Sequence, residues 1–105
     1  MEVLSFLFGN QISCKHMVKI ALISDESIIS FDTYNGHSLN DIKNYIFNNS
    51  HVISFIQHKT IFPNGDTSMY TKGICNIDFE TGMMKACRKE ELSQSDINFV
   101  IERLN

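Results

Sequence analysis

Four histidines and three cysteines are the residues of this chain whose side chains do acid–base, nucleophilic or metal chemistry near neutral pH. An imidazole beside a carboxylate is the arrangement a small hydrolase or nuclease needs, one group taking a proton while the other orients it. His58 or His51, each with Asp66, is the candidate pair. Positions 51 and 58 differ by an odd number, so period-two alternation sets these histidines on opposite faces of one strand and speaks against a His51/His58 pair. His37 stands just ahead of a helix start and His16 falls in a connection, places where solvated histidines are common.

Cys14-x-His16 has the spacing of half a metal site, but tight zinc sites draw their ligands as two spaced pairs and no second pair follows. No metal and no cofactor are expected. Cys75 and Cys87 are expected as small, reduced core residues, because an odd cysteine count does not build a closed disulfide framework. There is no Gly-rich phosphate loop, nucleophile elbow or His-Glu-x-x-His helix. The catalytic residue list is therefore expected to be empty.

The acids and aromatics carry a different expectation. Asp66, Asp78 and Glu80 fall at or near two turns, and Phe62, Met69 and Tyr70 lie close to the first of them. Together they predict a protruding acidic and aromatic ribbon that meets a basic protein partner, its charges steering association and its large side chains anchoring it. With 9 Lys and Arg against 12 Asp and Glu, a net charge of -3, the chain lacks the basic surface that neutralises phosphates, so no direct nucleic-acid partner is expected. The first hairpin, around Asp25, Glu26 and Asp32, is the other acidic surface.

These residues need elements to position them. Val18–Ser24 and Ile28–Tyr34 are rich in β-branched residues around the polar Asp25-Glu26-Ser27 and predict a hairpin. Ser38 followed by Asp41 predicts a capped helix with Leu39, Ile42, Tyr45 and Ile46 on its buried stripe, ended by Asn48-Asn49. Ile53 to Arg88 predicts a three-stranded meander. Its first turn, Phe62-Pro63-Asn64-Gly65-Asp66, sets Phe62 opposite Asp66, Phe55 opposite Gly73 and Ile53 opposite Cys75. Its second turn, around Gly82, sets Phe79 opposite Met83 and Cys75 opposite Cys87. Ile53, Phe55, Cys75, Ile77 and Phe79 then share the face the helices should cover. Ser93 with Asp96 opens a last helix whose Ile97, Val100, Ile101 and Leu104 recur at helical spacing. The apolar Val3–Phe8 run reads as an edge strand or a single helical turn stopped by Gly9.

At 105 residues the chain reads as one domain, 1–105, without repeats or linkers. The expected fold class is α+β, a mainly antiparallel sheet of about five to six strands with two amphipathic helices on one face, in the order (β)ββαβββα. Nothing approaches the roughly 20 apolar residues that span a bilayer, and the cysteine usage points to the cytoplasm. Richness in Ile, Asn and Lys fits a bacterial or phage gene of high AT content. The function expected is that of a small cytosolic binding protein that occludes a protein partner such as a basic toxin or nuclease, as toxin-immunity and phage counter-defence inhibitors do. The alternative is the small His/Asp-dependent hydrolase or nuclease.

Overall fold

The structure, a computed structural model, describes residues 14–23, 25–77, 84–86 and 90–105, with the backbone alone for 25–27, 75–77 and 84–86. The expected Val3–Phe8 strand lies outside them. The fold is α+β: a four-stranded antiparallel sheet, two helices on one of its faces, and a separate two-stranded ribbon.

β1 (Lys15–Leu22) alternates strictly, so His16, Val18 and Ile20 point inward while Lys15, Met17 and Lys19 point away. β2 (Asp25–Asp32) pairs with it through a connection tighter than the sequence predicts. The register jumps from Ala21–Ile28 to Leu22–Asp25, so β2 carries the extra residues as an irregularity inside the hairpin and not as its turn. The chain then crosses the sheet through α1 (Leu39–Asn48) and returns as β3 (Ile53–Ile61) on the other side of β1, followed by β4 (Thr67–Gly73), giving the order β2-β1-β3-β4. α1 begins as predicted: Ser38 Oγ accepts from the Asp41 N–H at 3.1 Å and Asp41 Oδ2 from the Ser38 N–H at 3.4 Å. In α2 (Gln94–Arg103), Ser93 Oγ accepts from the Asp96 N–H at 3.1 Å.

The core is continuous across the helix-facing side. Val18 and Ile20 of β1, Ile53 and Ile56 of β3, Ile42 and Ile46 of α1, and Ile97, Val100 and Leu104 at α2 are all essentially without solvent. Full burial of each such side chain contributes about 1.5–3 kcal/mol, which makes both helices integral to the fold. Phe55 is not among them. It sits with Ala21 and Ile28 on the opposite face, so the expectation that the helices cover the Phe55 side is corrected. The cause is a β-bulge. Ser54 is the unpaired residue between the pairs Ala21–Phe55 and Leu22–Ile53, and it turns Ile53 onto the face of Ile56 while Phe55 stays outside. Ser54 Oγ donates to the Ala21 carbonyl at 3.3 Å, which satisfies the bulged hydroxyl.

The first meander turn forms as its chemistry predicts. The Gly65 N–H donates to the Phe62 carbonyl at 2.9 Å, the Phe62 N–H to the Asp66 carbonyl at 2.8 Å, and Phe55 lies opposite Gly73. Beyond Gly73 the expected meander fails, and the single sheet of about five to six strands becomes four plus two. Gly73 turns the chain at φ +93°, and the Leu92 N–H, not Cys75, takes up the Ile53 carbonyl at 2.9 Å. β5 (Cys75–Ile77) and β6 (Met84–Ala86) pair only with each other among the described strands, one residue out of the expected register. Cys75 faces Ala86 and Ile77 faces Met84. Phe79, Met83 and Cys87 lie outside the described residues.

Gly73 is held where no other residue fits. A Cβ there would meet the Ser54 carbonyl oxygen at 2.3 Å and Phe55 Cα at 3.0 Å, whereas one on Gly36, at a similar φ of +94°, would meet nothing. Gly36→Ala should cost about 1–2 kcal/mol, the ordinary left-handed penalty. Gly73→Ala should cost at least about 2 kcal/mol more, because backbone atoms must move as well. Urea denaturation of the two variants checks this, and equal losses would contradict the close approach of β4 to the bulge.

Candidate functional site

β1, β3 and β4 bring together side chains that are far apart in sequence. Val18 lies directly opposite His58, and His16, two residues before Val18 on the same face, reaches His58 diagonally. The imidazoles stack with centroids 5.2 Å apart and planes at 26°, and His16 Nδ1 approaches His58 Nε2 at 2.9 Å. On the other side, β4 sets Tyr70 opposite His58, with Tyr70 Oη 2.9 Å from His58 Nδ1 and the rings edge to face. Thr60 Oγ1 lies 3.4 Å from His58 Nε2. His16 is corrected from a connection to a strand: its N–H donates to Thr33 Oγ1 at 3.0 Å, and it is only 9% exposed.

His58 is 1% exposed, and both of its ring nitrogens are engaged. Burial, reinforced by the charge His16 carries when protonated, pushes the pKa of His58 from 6.5 down to about 4. Burial also lowers that of His16. Tyr70 is pushed up to about 12 by burial, with the Arg103 guanidinium acting in the opposite sense. All three are therefore uncharged at neutral pH. Among the described residues no side chain meets His16 Nε2, and no buried side-chain nitrogen or oxygen lacks a partner. That nitrogen is thus in contact with solvent.

It opens into a cleft of about 690 Å³ between the sheet and the ends of both helices. His16, His58 and Thr60 form the floor, Phe62, Ser68 and Tyr70 one wall, and Cys14, Leu39, Arg103 and Asn105 the other walls. Phe99 of α2 organises the Arg103 side. Its ring meets Tyr70 edge to face at 5.2 Å and carries the Arg103 guanidinium 3.4 Å from its centre and Lys72 Nζ at 4.2 Å. Arg103 Nη1 also donates to the Phe99 carbonyl at 3.2 Å, and Lys72 lies 3.6 Å from Asp96.

The structure divides the residues expected to meet a partner. Phe62 and Tyr70 line the cleft, while Met69, 58% exposed, projects from the other face of β4. Asp66 is exposed at the ribbon tip, where its N–H donates to Asn64 Oδ1 at 2.9 Å and its carboxylate accepts from Asn64 Nδ2 at 3.0 Å. Asp78 and Glu80 lie outside the described residues. Asp66 is absent from the described cleft lining, and the acid near His51 is Glu91, 3.9 Å away at the surface. His37 Nδ1 accepts from the Asp32 N–H at 3.1 Å, which ties the end of β2 to the start of α1. Cys14 and His16 both line the cleft, but among the described residues no three His, Cys, Asp or Glu side chains converge as a metal site would require. No described helix is long and apolar enough to cross a membrane.

Comparison with protein-family models, with curated proteins and with solved structures gave no match to this chain. Its chemistry is therefore argued from geometry.

Sequence reasoning placed Phe62 and Tyr70 in a site but missed His16, Thr60, Ser68, Phe99 and Arg103. One signal was legible: the register that puts Phe55 opposite Gly73 also puts His58 opposite Tyr70. The His16–His58 contact needs the pairing of β1 with β3, strands separated by β2 and α1, which no local pattern specifies.

The buried pair predicts a pH dependence of stability. His58 is neutral in both folded and unfolded chains above pH 6.5. As pH falls from 6.5 towards 4 the unfolded chain takes up the proton first, so stability is lost across that window, by about 3 kcal/mol for the full shift of His58. His16 adds to the loss in the same direction. Urea midpoints measured from pH 7.5 to 4 should fall, with most of the drop removed by His58→Leu; a flat profile between pH 7 and 5 would contradict the buried neutral pair.

Proposed function

We propose that this protein binds a small polar ligand in the His16–His58–Tyr70 cleft, with His16 as the acid–base group in contact with it. The observation that supports this reading most is the Nε2 of His16, which no described side chain engages, in the lining of a cleft beside His58 and Tyr70, whose polar atoms bond each other. A pocket that fixes a few convergent polar groups against apolar walls is the usual form of a small-ligand site, and perturbed imidazoles mark such sites more often than ordinary surface. Leu39 and Phe62 supply apolar wall, while Thr60, Ser68 and Tyr70 supply hydroxyls that donate or accept. Burial keeps His16 and His58 neutral at pH 7 before a ligand enters, so His16 meets it as a base that takes up a proton or as a neutral donor.

Occlusion of a protein partner is the second reading, and it is favoured by the β3–β4 ribbon. Phe62 and Met69 are 39% and 58% exposed beside the acidic tip at Asp66, and large apolar side chains next to charge are the usual anchors of an interface. Phe62 belongs to both readings; Met69 does not.

Backbone amide spectra of the labelled protein, titrated with separate sets of small carboxylates, amides, nucleosides and sugars, test the first reading. Shifts should concentrate at His16, Thr60, Ser68, Tyr70 and Arg103, survive Met69→Ser, and affinity should weaken at least about fivefold with Thr60→Val and Ser68→Ala combined, since each lost hydrogen bond costs about 0.5–1.5 kcal/mol. Absence of shifts in the cleft with every set would leave the ribbon as the functional surface.

A further inference from the structure

The hydrogen bonds that run from the cleft to Tyr70 have room for few hydrogens, and that count limits what the cleft can bind. One hydrogen fits between His16 Nδ1 and His58 Nε2 at 2.9 Å, and one between His58 Nδ1 and Tyr70 Oη at 2.9 Å. Uncharged, the chain of groups has two arrangements. In the first, His16 donates from Nδ1 to His58 Nε2, His58 donates from Nδ1 to Tyr70 Oη, and His16 Nε2 shows the cleft a lone pair. In the second, Tyr70 donates to His58 Nδ1, His58 donates from Nε2 to His16 Nδ1, and a His16 Nε2–H points into the cleft.

One added proton leaves a single pattern at the two ends. His16 Nε2–H donates to the cleft, Tyr70 Oη accepts from His58 Nδ1–H, and the middle hydrogen rests on one ring or the other. A second proton would set two N–H groups head to head across 2.9 Å, with only the 3.4 Å contact of His58 Nε2 to Thr60 Oγ1 to relieve them, so the pair favours a single positive charge. That charge belongs on His16, which reaches the cleft, and not on His58, which is buried beneath it.

We infer that the cleft takes a small oxyanion, the chemistry shared by carboxylates, phosphates and sulfates, and binds it together with a single proton lodged on His16. This rests on the cleft being the ligand site. Two of the described walls bring cations towards such a ligand. Arg103 brings a guanidinium from the end of α2, and Asn105, also in the lining, accepts from Lys43 Nζ at 2.6 Å, which brings a second cation near the rim from α1. No carboxylate side chain is among the described lining residues, and Glu102, 4.0 Å from Arg103 Nη1, is mostly solvent-exposed. Thr60, Ser68 and Tyr70 line the cleft uncharged at neutral pH. An anion against His16 opposes the burial that lowers its pKa, and an opposite charge within about 4–6 Å raises an imidazole pKa by roughly 1–3 units.

Isothermal titration of the intact protein with sodium sulfate and, separately, sodium acetate, from pH 5.5 to 8.5 in two buffers of different protonation enthalpy, tests this. Sulfate should bind with uptake of close to one proton around pH 7, and its affinity should fall about tenfold per pH unit over the window between the free and bound pKa of His16. A preference for sulfate marks a tetrahedral ligand and one for acetate a planar carboxylate. His16→Gln keeps a donor but should bind without pH dependence. Arg103→Gln, on an exposed side chain, should weaken sulfate at every pH and keep the slope. Tyr70→Phe removes the acceptor at the far end of the chain and should move the pH profile to lower pH. Sulfate binding that is independent of pH, or whose pH dependence survives His16→Gln, would overturn the inference. So would binding of neither anion while a neutral amide or nucleoside still perturbs the cleft, a result that keeps the site and rejects its ligand class. If no ligand of any class perturbs the cleft, the site itself is rejected.

Discussion

The contact of His16 with His58 is the constraint around which this sheet is built. Two imidazoles on the helix-facing side of a small domain must leave water, and each must find partners or the fold loses the cost of an unmet polar group. The sheet meets that demand with three strands. β1 supplies His16, β3 supplies His58 and Thr60, β4 supplies Tyr70, and Thr33 beyond β2 holds the His16 backbone. Each bond depends on strand register, because a slip of one residue would carry a histidine to the opposite face. The polar chain therefore reports the register of all its strands at once.

The same register divides the sheet into an aliphatic end and a polar end. Towards Ile53 the sheet closes on an aliphatic core shared with both helices, and the Ser54 bulge and Gly73 adjust its edge so that Leu92 can take the last carbonyl. Towards Ile61 the helices end, the aliphatic residues give way to histidine, threonine and tyrosine, and the cleft opens. Apolar side chains of similar volume at positions 16 and 58 would be at least as stable, since buried polar groups at best regain what desolvation costs them. Their presence at the open end of the core fits a role in binding and not in folding.

Much of this architecture was legible in the residues. Both helices, their Ser–Asp caps, the Phe62–Asp66 turn and the Phe55–Gly73 pairing follow from local rules that act over a few positions. What failed was non-local. Strand alternation read through Ser54 assigned Phe55 to the helix side, because a bulge has no sequence signature as clear as a turn. Gly73 looked like an ordinary strand residue until its approach to the Ser54 carbonyl fixed where β4 must end. The site was half legible for the same reason. Tyr70 and Phe62 sat on a predictable hairpin, whereas His16 was read as part of a connection although Lys15–Leu22 alternates well enough to be a strand from its first residue. Arg103 and Phe99 lie on the flank of the last helix, outside the apolar stripe that periodicity detects, and reach the cleft only through packing against Tyr70.

The most direct measurement of the central claim is a histidine nitrogen titration by NMR, following both ring nitrogens of each residue from pH 8 to 4. The account predicts that His58 keeps one protonated and one bare nitrogen until the pH approaches 4, that His16 titrates below 6.5, and that the pair accepts one proton before the fold is lost. Independent titration of both rings near pH 6.5 would mean that the two imidazoles do not share a hydrogen, and the cleft would lose the group that defines it.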